Sequence, residues 1–252
     1  MIKVRWLNTD PLIASARLRS LIPSKELADR VTIGNDVIIG AKHGWDSRVV
    51  RKLAKRFIMD VCDDHFEGLL SDHYKTACEI ADEVTCNSKA MQLVIKAYTG
   101  RDAIVIDDPY EDEELKPTLG EGLCWFGHKS NLPDLARIKD KIRYPVWAVS
   151  NHNYHEIDAA LKYCRAVIIP TGEKQAKSAN RAIRAIRYGK YPVCGYLEAY
   201  EELGLCGTEF FTNIEWAMNN DPTNEVLSLQ RAIRERFCPT KIANDWFKVI
   251  SA

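Results

Sequence analysis

Short apolar runs alternate with segments of helical periodicity along most of this chain. In its first part, the apolar runs cover residues 2–8, 36–41, 57–64, 84–88 and 103–107. Helical segments lie between them, and the one after the second run places Val49, Leu53 and Phe57 at three- to four-residue spacing. Most of these runs do not alternate apolar with polar residues, which is typical of parallel strands covered on both faces. The pattern therefore predicts a parallel sheet flanked by helices.

An acidic segment from Asp108 to Gly122 interrupts this alternation. It contains two prolines and two glycines and few large apolar residues, so it is the best domain boundary. Beyond it, strands are predicted at residues 123–127, 144–151, 164–170, 191–196 and 208–213. Three helical stretches follow from Ile214 to the end of the sequence. The pattern predicts two doubly wound α/β domains, residues 1–110 and 111–252, the second with a helical tail.

Composition narrows the classes of protein that fit this pattern. Hydrophobic residues make up 46% of the 252 residues, and 35 basic side chains balance 35 acidic ones. A net charge of zero disfavours a globally basic nucleic-acid binder. The eight cysteines are scattered without metal-binding spacing and are expected to be buried thiols in a reducing compartment. No signal peptide and no apolar run long enough for a membrane span is apparent, so we expect a cytoplasmic protein.

The segment from Lys177 to Val193 combines a predicted helix with an unusual charge pattern. It follows a buried strand, and its first turn offers Lys177, Ser178, Asn180 and Arg181. Ser178 is a candidate helix cap. Cations at a helix start oppose the helix dipole, whereas the unpaired N–H groups there attract phosphate. The segment is therefore either a phosphate site or a solvated basic face; the later cations, Arg184, Arg187 and Lys190, are assigned to the solvated face.

A second polar turn follows the first strand of the second domain. Gly127 permits close approach of the backbone to a ligand, and Lys129 and Ser130 can donate to an anion. Ser130 or Asn131 is also suited to cap the next helix, which is the plainer interpretation. In a parallel sheet, both turns lie at the carboxyl edge, where ligands bind. Two polar helix starts at one edge are suited to a diphosphate.

Two polar loops in the first domain are further candidates. Asp63, Asp64 and His65 follow a strand and could act as base, sugar contact or metal ligands, although their spacing is unspecific for a metal. Their plainer interpretation is an acidic pair that caps the next segment. Asp60 ranks below them because it lies within the predicted strand.

A helix predicted from Ala16 to Arg30, with a break or restart at Pro23, places Ser15 and Arg17 near its start. His43 follows the strand at residues 36–41 and precedes a basic helix. The basicity of that helix is expected to be a solvated face, or else to lie along a polyanion such as DNA.

Several stretches together resemble one family, the group 1-like nucleotide-sugar-dependent glycosyltransferases of the GT-B fold. The similar stretches are ASARLRSLIPSKELA, ADEVTCNSKAM, VIDDPYE, WFGHKSN and CRAVIIPT, followed by KSANRAIRAIRYGKYPV. They occur in the family's order over most of the chain. The resemblance implies an α/β, GT-B-like architecture: two Rossmann-like domains face a cleft, and the last helix crosses back onto the first domain.

The resemblance also implies roles for the candidate residues. Gly127, Lys129 and Ser130, with Lys177, Ser178, Asn180 and Arg181, would bind the diphosphate of a donor such as a UDP-sugar, without a metal or other cofactor. The loop with Asp63, Asp64 and His65 would be catalytic. Ser15, Arg17 and His43 would lie on the acceptor side.

One position departs from the family pattern. The retaining members carry two glutamates separated by seven residues in the donor segment. Alignment on Gly189 and Pro192 places Arg184 at the second glutamate, and Ala176 or Lys177 at the first. The identity of the donor and the stereochemical outcome are therefore open.

The expected function is transfer of a hexosyl or pentosyl group to an acceptor hydroxyl on a glycan, a small molecule or a hydroxymethylated DNA base. The alternatives are a non-catalytic module that binds nucleotides or sugar phosphates, and a sugar-nucleotide epimerase of the same fold.

Overall fold

A computed structural model describes residues 1–150, 154–172, 176–205 and 209–252. The chain divides into two compact units. Unit 1 comprises Met1–Pro109, Ala176–Ser178 and Phe237–Ala252, and unit 2 comprises Tyr110–Gln175 and Ala179–Arg236. Among the helices described, none is long and apolar enough to cross a membrane.

Unit 1 contains a six-stranded parallel sheet in the order β2-β1-β3-β4-β5-β6. Its strands are β1 (Ile2–Trp6), β2 (Val31–Ile33), β3 (Val37–Ala41), β4 (Arg56–Val61), β5 (Glu83–Cys86) and β6 (Ile104–Val105). Its helices are α1 (Ala14–Ala16), a π-helical stretch (Arg17–Leu21), α2 (Ile22–Glu26), α3 (Ser47–Leu53), α4 (Ser71–Ile80), α5 (Lys89–Thr99) and α12 (Pro239–Ser251), with a 3-10 turn at Gly68–Leu70. As the apolar runs predicted, β3 and β4 are almost wholly buried.

The last helix, α12, packs in unit 1, as the resemblance implied. Trp246 is fully buried there and meets Trp6 edge-on at 5.0 Å between ring centroids. Arg56 also donates from Nη1 to the carbonyl of Val249, at 2.6 Å. Burial of aromatic and aliphatic side chains of α12 against β1, β3 and β4 joins the end of the sequence to its beginning.

Unit 2 contains a four-stranded parallel sheet in the order β10-β9-β7-β8. Its strands are β7 (Leu123–Gly127), β8 (Val146–Ser150), β9 (Ala166–Ile169) and β10 (Tyr191–Cys194). Its helices are α6 (Leu132–Lys139), α7 (Tyr154–Tyr163), α8 (Asn180–Arg187), α9 (Glu198–Glu201), α10 (Phe210–Asn219) and α11 (Thr223–Arg236), with a 3-10 turn at Lys129–Asn131. Two parallel-sheet α/β units confirm the predicted fold class.

Two elements differ from the sequence-based expectation. The strand predicted at residues 208–213 is wrong: from Phe210 the chain forms α10, and Thr208 lies outside the described residues. The aromatic residues suggested a strand, but Ile214 and Ala217 sit at helical spacing and are buried against unit 2's sheet. Strand β2 was not predicted, because it is a short, mostly exposed edge strand.

Gly189 lies in the tight turn that connects α8 to β10. Its φ is +70°, and a Cβ atom added there would lie 2.5 Å from the carbonyl oxygen of Lys116. We expect Gly189→Ala to lower the free energy of unfolding by about 2–5 kcal/mol, through left-handed strain plus overpacking. Gly204→Ala is the matched control, since Gly204 has the same φ with no atom within 4 Å of its Cβ position. Equal losses in urea unfolding of the two variants would contradict the clash.

Candidate functional site

The carboxyl edge of unit 2's sheet brings Gly127 and Arg181 together. Gly127 ends β7, and Arg181 lies in the first turn of α8. A Cβ atom added to Gly127 would lie 3.4 Å from Nη1 of Arg181, so the guanidinium approaches the glycine closely. Among the described residues, this Nη1 atom is buried and has no hydrogen-bond partner. An unpaired guanidinium N–H at a glycine turn is suited to bind an anion.

Tyr200, also in unit 2, lies next to Arg181. Its side chain is 1% exposed, and Arg181 lies close enough to influence the pKa of its hydroxyl. Burial raises the pKa of Tyr200 and outweighs the opposite influence of Arg181, so the hydroxyl stays neutral. No sequence motif singled out Tyr200, because it becomes significant only through this contact.

The start of α8 differs from the prediction. The helix begins at Asn180 after Ala179, and no side chain caps it, so the expectation that Ser178 caps this helix is wrong. Ala176 is buried in the core of unit 1, and Lys177 and Ser178 are counted with that unit. The structure therefore assigns Asn180 and Arg181 to unit 2, but not Lys177 and Ser178.

The turn after Gly127 is held by His128. Its Nδ1 atom accepts from the backbone N–H of Ser130 at 3.3 Å and lies 2.8 Å from the Ser130 hydroxyl. Neither Ser130 nor Asn131 caps α6 through its side chain, so the capping interpretation of these residues is wrong. Lys129 and Ser130 are exposed, which leaves their side chains accessible to a ligand.

The later cations of the opening segment do not form a solvated face. Arg184 pairs with Asp112 at 3.3 Å and with Asp158 at 2.9 Å. Lys190 is buried and donates from Nζ to the carbonyl of Thr118, at 3.0 Å. Arg187 likewise pairs with Glu114 at 2.7 Å. The predicted solvated face is therefore wrong: these cations stabilise the segment that precedes β7 within unit 2.

In unit 1, Asp63 forms an ion pair with Lys42, with 2.7 Å between Nζ and Oδ2. Lys42 has a φ of +59°, and its carbonyl oxygen lies 3.0 Å from Nε2 of His73. Burial alone would raise the pKa of Asp63, but Lys42, with smaller contributions from His65 and Cys62, lowers the pKa below its ordinary value. A carboxylate of lowered pKa is a weak base at neutral pH.

His65 and Asp64 lie beside this ion pair. The His65 ring lies 5.2 Å from that of Tyr74, between centroids. Asp64 accepts from the backbone N–H of Phe66 at 3.3 Å, which is the local capping geometry. Burial raises the pKa of the neighbouring Cys62 thiol well above its ordinary value, so this thiol stays protonated. Of the loop's two acids, Asp63 is thus paired with Lys42, and Asp64 accepts from the backbone.

Arg19, which sequence reasoning did not select, is the most heavily bonded side chain of unit 1. It lies in the π-helical stretch, is 1% exposed, and binds Asp60 at 2.6 and 3.0 Å. It also donates to the carbonyl of Ile106 and to Asp108. Burial would lower the pKa of Arg19, but the carboxylates outweigh it and raise it. Arg19 is therefore charged, and its guanidinium forms hydrogen bonds and ion pairs within unit 1.

The three residues predicted on the acceptor side have different environments. Arg17 donates from Nη1 to the carbonyl of Pro11, at 2.9 Å. His43 is exposed on the turn that follows β3. Ser15 has a buried Oγ without a partner among the described residues.

Comparison with known proteins identifies the fold. No family model and no curated protein matches the sequence. Among solved structures, TarM matches with a TM-score of 0.62 at 12% identity, over 86% of this chain. The chain spans only 55% of TarM's length. AviGT4, a glycosyltransferase involved in avilamycin A biosynthesis, matches with a TM-score of 0.56 at 13% sequence identity. The match covers 100% of this chain and 97% of AviGT4.

HepE from Anabaena, solved in complex with UDP and glucose, matches at a TM-score of 0.56 and 12% identity, over the whole of both chains. These proteins are GT-B glycosyltransferases, and the chain has the GT-B fold. At such identities the likeness shows the fold, and the activity must be argued from the site.

Proposed function

We propose that the chain transfers a hexosyl or pentosyl group from a nucleoside-diphosphate sugar to an acceptor hydroxyl. The observation that carries this proposal is the unpaired Nη1 of Arg181 beside Gly127, at the carboxyl edge of unit 2's sheet. The GT-B fold supports it, because HepE has that fold and was solved with UDP and glucose. The acceptor classes from the sequence are a glycan, a small molecule or a modified DNA base.

In this proposal, unit 2 stabilises the leaving diphosphate. Negative charge grows on the diphosphate as the glycosidic bond breaks. Arg181, the backbone at Gly127, the side chains of Lys129 and Ser130 and the uncapped start of α8 are the groups of unit 2 that would bind this charge. For Lys177 and Ser178, which belong to unit 1, diphosphate binding stays a prediction from the sequence. These donors make a metal unnecessary, so we propose metal-independent transfer.

Unit 1 supplies the acidic loop. In an inverting reaction, His65 takes the proton of the acceptor hydroxyl, while the ion pair of Lys42 with Asp63 fixes the loop. In a retaining reaction, the same residues position the sugar, and the leaving phosphate takes the proton. In either case Asp63 acts as a charged, weakly basic group.

We expect UDP, GDP or dTDP to bind the purified chain with a stoichiometry of one, measured by calorimetry, and EDTA to leave this binding unchanged. We further expect one nucleotide sugar in a panel to release free nucleoside diphosphate in the presence of an acceptor, because the donors of unit 2 favour the leaving group. Failure of every nucleoside diphosphate to bind would refute the proposal.

A second candidate function, a nucleotide-binding module without turnover, is favoured by Arg184. It stands where the resemblance expects the second glutamate, and both of its acidic partners hold it within unit 2. Binding of a nucleotide sugar without release of diphosphate across an acceptor panel would support the module. Interconversion of the sugar while it stays attached to the nucleotide would support the epimerase.

A further inference from the structure

Strand β8 forms an open edge of unit 2's sheet. It pairs in parallel with β7 on one side, and no described strand lies on its other side. Its sequence, VWAVS, contains no charged residue and no proline, and Trp147 and Ala148 are exposed. An edge of this kind offers a row of backbone N–H and C=O groups to another strand. β8 therefore has the properties of a strand-pairing site.

The other edge strands of the two described sheets are protected. In unit 1, β2 has three residues and β6 has two, which is too short for extended pairing. In unit 2, β10 is packed against α10 and α11 and contains Pro192, which has no N–H group to donate. Soluble proteins usually block their edge strands with such features. β8 has five residues and none of these features, so its edge is available to a partner.

An apolar groove runs along the same edge, between β8 and α7. Its cavity volume is about 280 Å³, and its lining residues are Trp147, Val149, Glu156, Ala159, Ala160 and Tyr163. Trp147 is 46% exposed and Tyr163 is 67% exposed. Tryptophan and tyrosine are enriched where protein–protein interfaces are buried. The strand edge and the groove together form one candidate interface.

The charges beside the groove are complementary to those of a second copy of the chain. Because α7 connects two parallel strands, β8 and β9, it runs antiparallel to both. Glu156 in its first turn therefore lies towards the carboxyl end of β8, and Lys162 in its last turn lies towards the amino end. In an antiparallel pair of β8 strands, Glu156 of each copy approaches the partner's Lys162. The 35 basic and 35 acidic residues of the chain also give no net repulsion between copies.

We propose that two copies of the chain form a dimer by pairing their β8 strands antiparallel across a two-fold axis at Ala148. Their four-stranded sheets then form one sheet of eight strands, with both copies of α7 on the same face. Trp147 lies opposite the partner's Val149, an aromatic and β-branched pair that stabilises antiparallel strands. Because β10 is covered, association stops at two copies, as in other isologous interfaces. The inference does not depend on the proposed function, because it uses none of the residues proposed to bind the diphosphate.

Sedimentation velocity of the full chain over a series of concentrations is the first test. We expect a reversible equilibrium between monomer and dimer. Ala148→Lys should raise the dissociation constant of the dimer by about 10-fold or more, because two lysines would then face each other at the axis. Ala148 is exposed, so we expect this variant to fold. Thr32→Lys is the matched control, since Thr32 is an exposed residue of the edge strand β2, and it should leave the dimer unchanged.

Two further measurements test the orientation of the strands. Ala148→Cys should form an intermolecular disulfide in oxidised glutathione, because residues directly opposite in antiparallel strands have Cα atoms about 4.5–5.5 Å apart. The wild type and Thr32→Cys are the controls, and they should form far less covalent dimer. Glu156→Lys should weaken the dimer, and Lys162→Glu in the same chain should restore it by reversing both charges.

A chain that stays monomeric at every concentration would overturn the inference, and the edge of β8 would then be available to a different partner. A dimer that Ala148→Lys weakens no more than Thr32→Lys does would overturn it as well, because the interface would lie elsewhere. Should Ala148→Lys misfold, judged by circular dichroism, the disulfide decides: its absence in folded Ala148→Cys overturns the dimer. UDP binding by a strictly monomeric chain would leave the proposed function standing.

Discussion

Arg19→Met lowers the stability of unit 1 by about 3–5 kcal/mol, the expected loss when one partner of a buried ion pair is removed. Asp60, at 1% exposure, would lose its countercharge and keep the hydrogen bond from the hydroxyl of Thr85, at 2.8 Å. The hydrogen bonds to Asp108 and the carbonyl of Ile106 would be lost as well. Amide hydrogen exchange along β4, compared with β9, is the measurement, because a chain of two units need not unfold in one transition.

Lys55→Met is the control for this result. Lys55 pairs with Asp36 at 2.8 Å, but its side chain is 83% exposed, and such surface pairs contribute about 0–1 kcal/mol. Asp60→Asn should destabilise unit 1 as strongly as Arg19→Met, since it leaves the buried guanidinium without its main countercharge. Losses in the Arg19 and Asp60 variants no larger than that of Lys55→Met would show that the buried network is not stabilising.

Arg181→Ala is expected to weaken nucleoside diphosphate binding roughly 10- to 100-fold, as expected for hydrogen bonds between charged groups. The reason is the unpaired Nη1 beside Gly127, which has no bond within the described part of the chain to lose. The variant also loses the contact of Arg181 with Tyr200, which is a small loss, so the melting temperature should fall little. Calorimetry with UDP and thermal melting, performed side by side, separate binding from stability.

Arg143→Ala provides the matched control, because Arg143 also belongs to unit 2 but is 84% exposed and pairs only loosely with Glu215, at 3.5 Å. Removing it should change neither UDP affinity nor melting appreciably. If Arg181→Ala binds UDP as tightly as Arg143→Ala does, the start of α8 is not the diphosphate site. Arg181→Lys should fall between wild type and alanine, since it keeps the charge but loses the planar fork.

The predicted strands and helices were mostly confirmed, because burial on both faces leaves a local signature. The strands predicted at residues 36–41 and 57–64 are mostly apolar, and they overlap β3 (Val37–Ala41) and β4 (Arg56–Val61). Gly100, predicted as a helix stop, ends α5 in the left-handed conformation. The failure at α10 has a local cause as well: its aromatic residues favour a strand, whereas packing against unit 2's sheet selected a helix.

The candidate residues were chosen by their position after strands, and that rule correctly located the carboxyl edges of both sheets. It did not distinguish side chains that are paired within the fold from those that are not. Arg184 and Arg181 belong to the same helix and the same basic pattern, yet Arg184 is held by two acids and Arg181 keeps an unpaired nitrogen.

The fold class and the strand ends where chemistry is expected can be predicted from the sequence, because periodicity and turn residues report local burial and chain direction. Which charges form ion pairs within the protein depends on contacts between residues far apart in the chain. Arg19 meets Asp60 and Asp108 across 41 and 89 residues of sequence, and no local pattern encodes such pairings. In the folded chain, Ala176–Ser178 belong to unit 1. The Tyr74 hydroxyl and Oδ1 of Asn87 in the same unit have no hydrogen-bond partner among the described residues. Long-range packing fixes these features, since it alone determines which polar atoms find a partner when water is excluded.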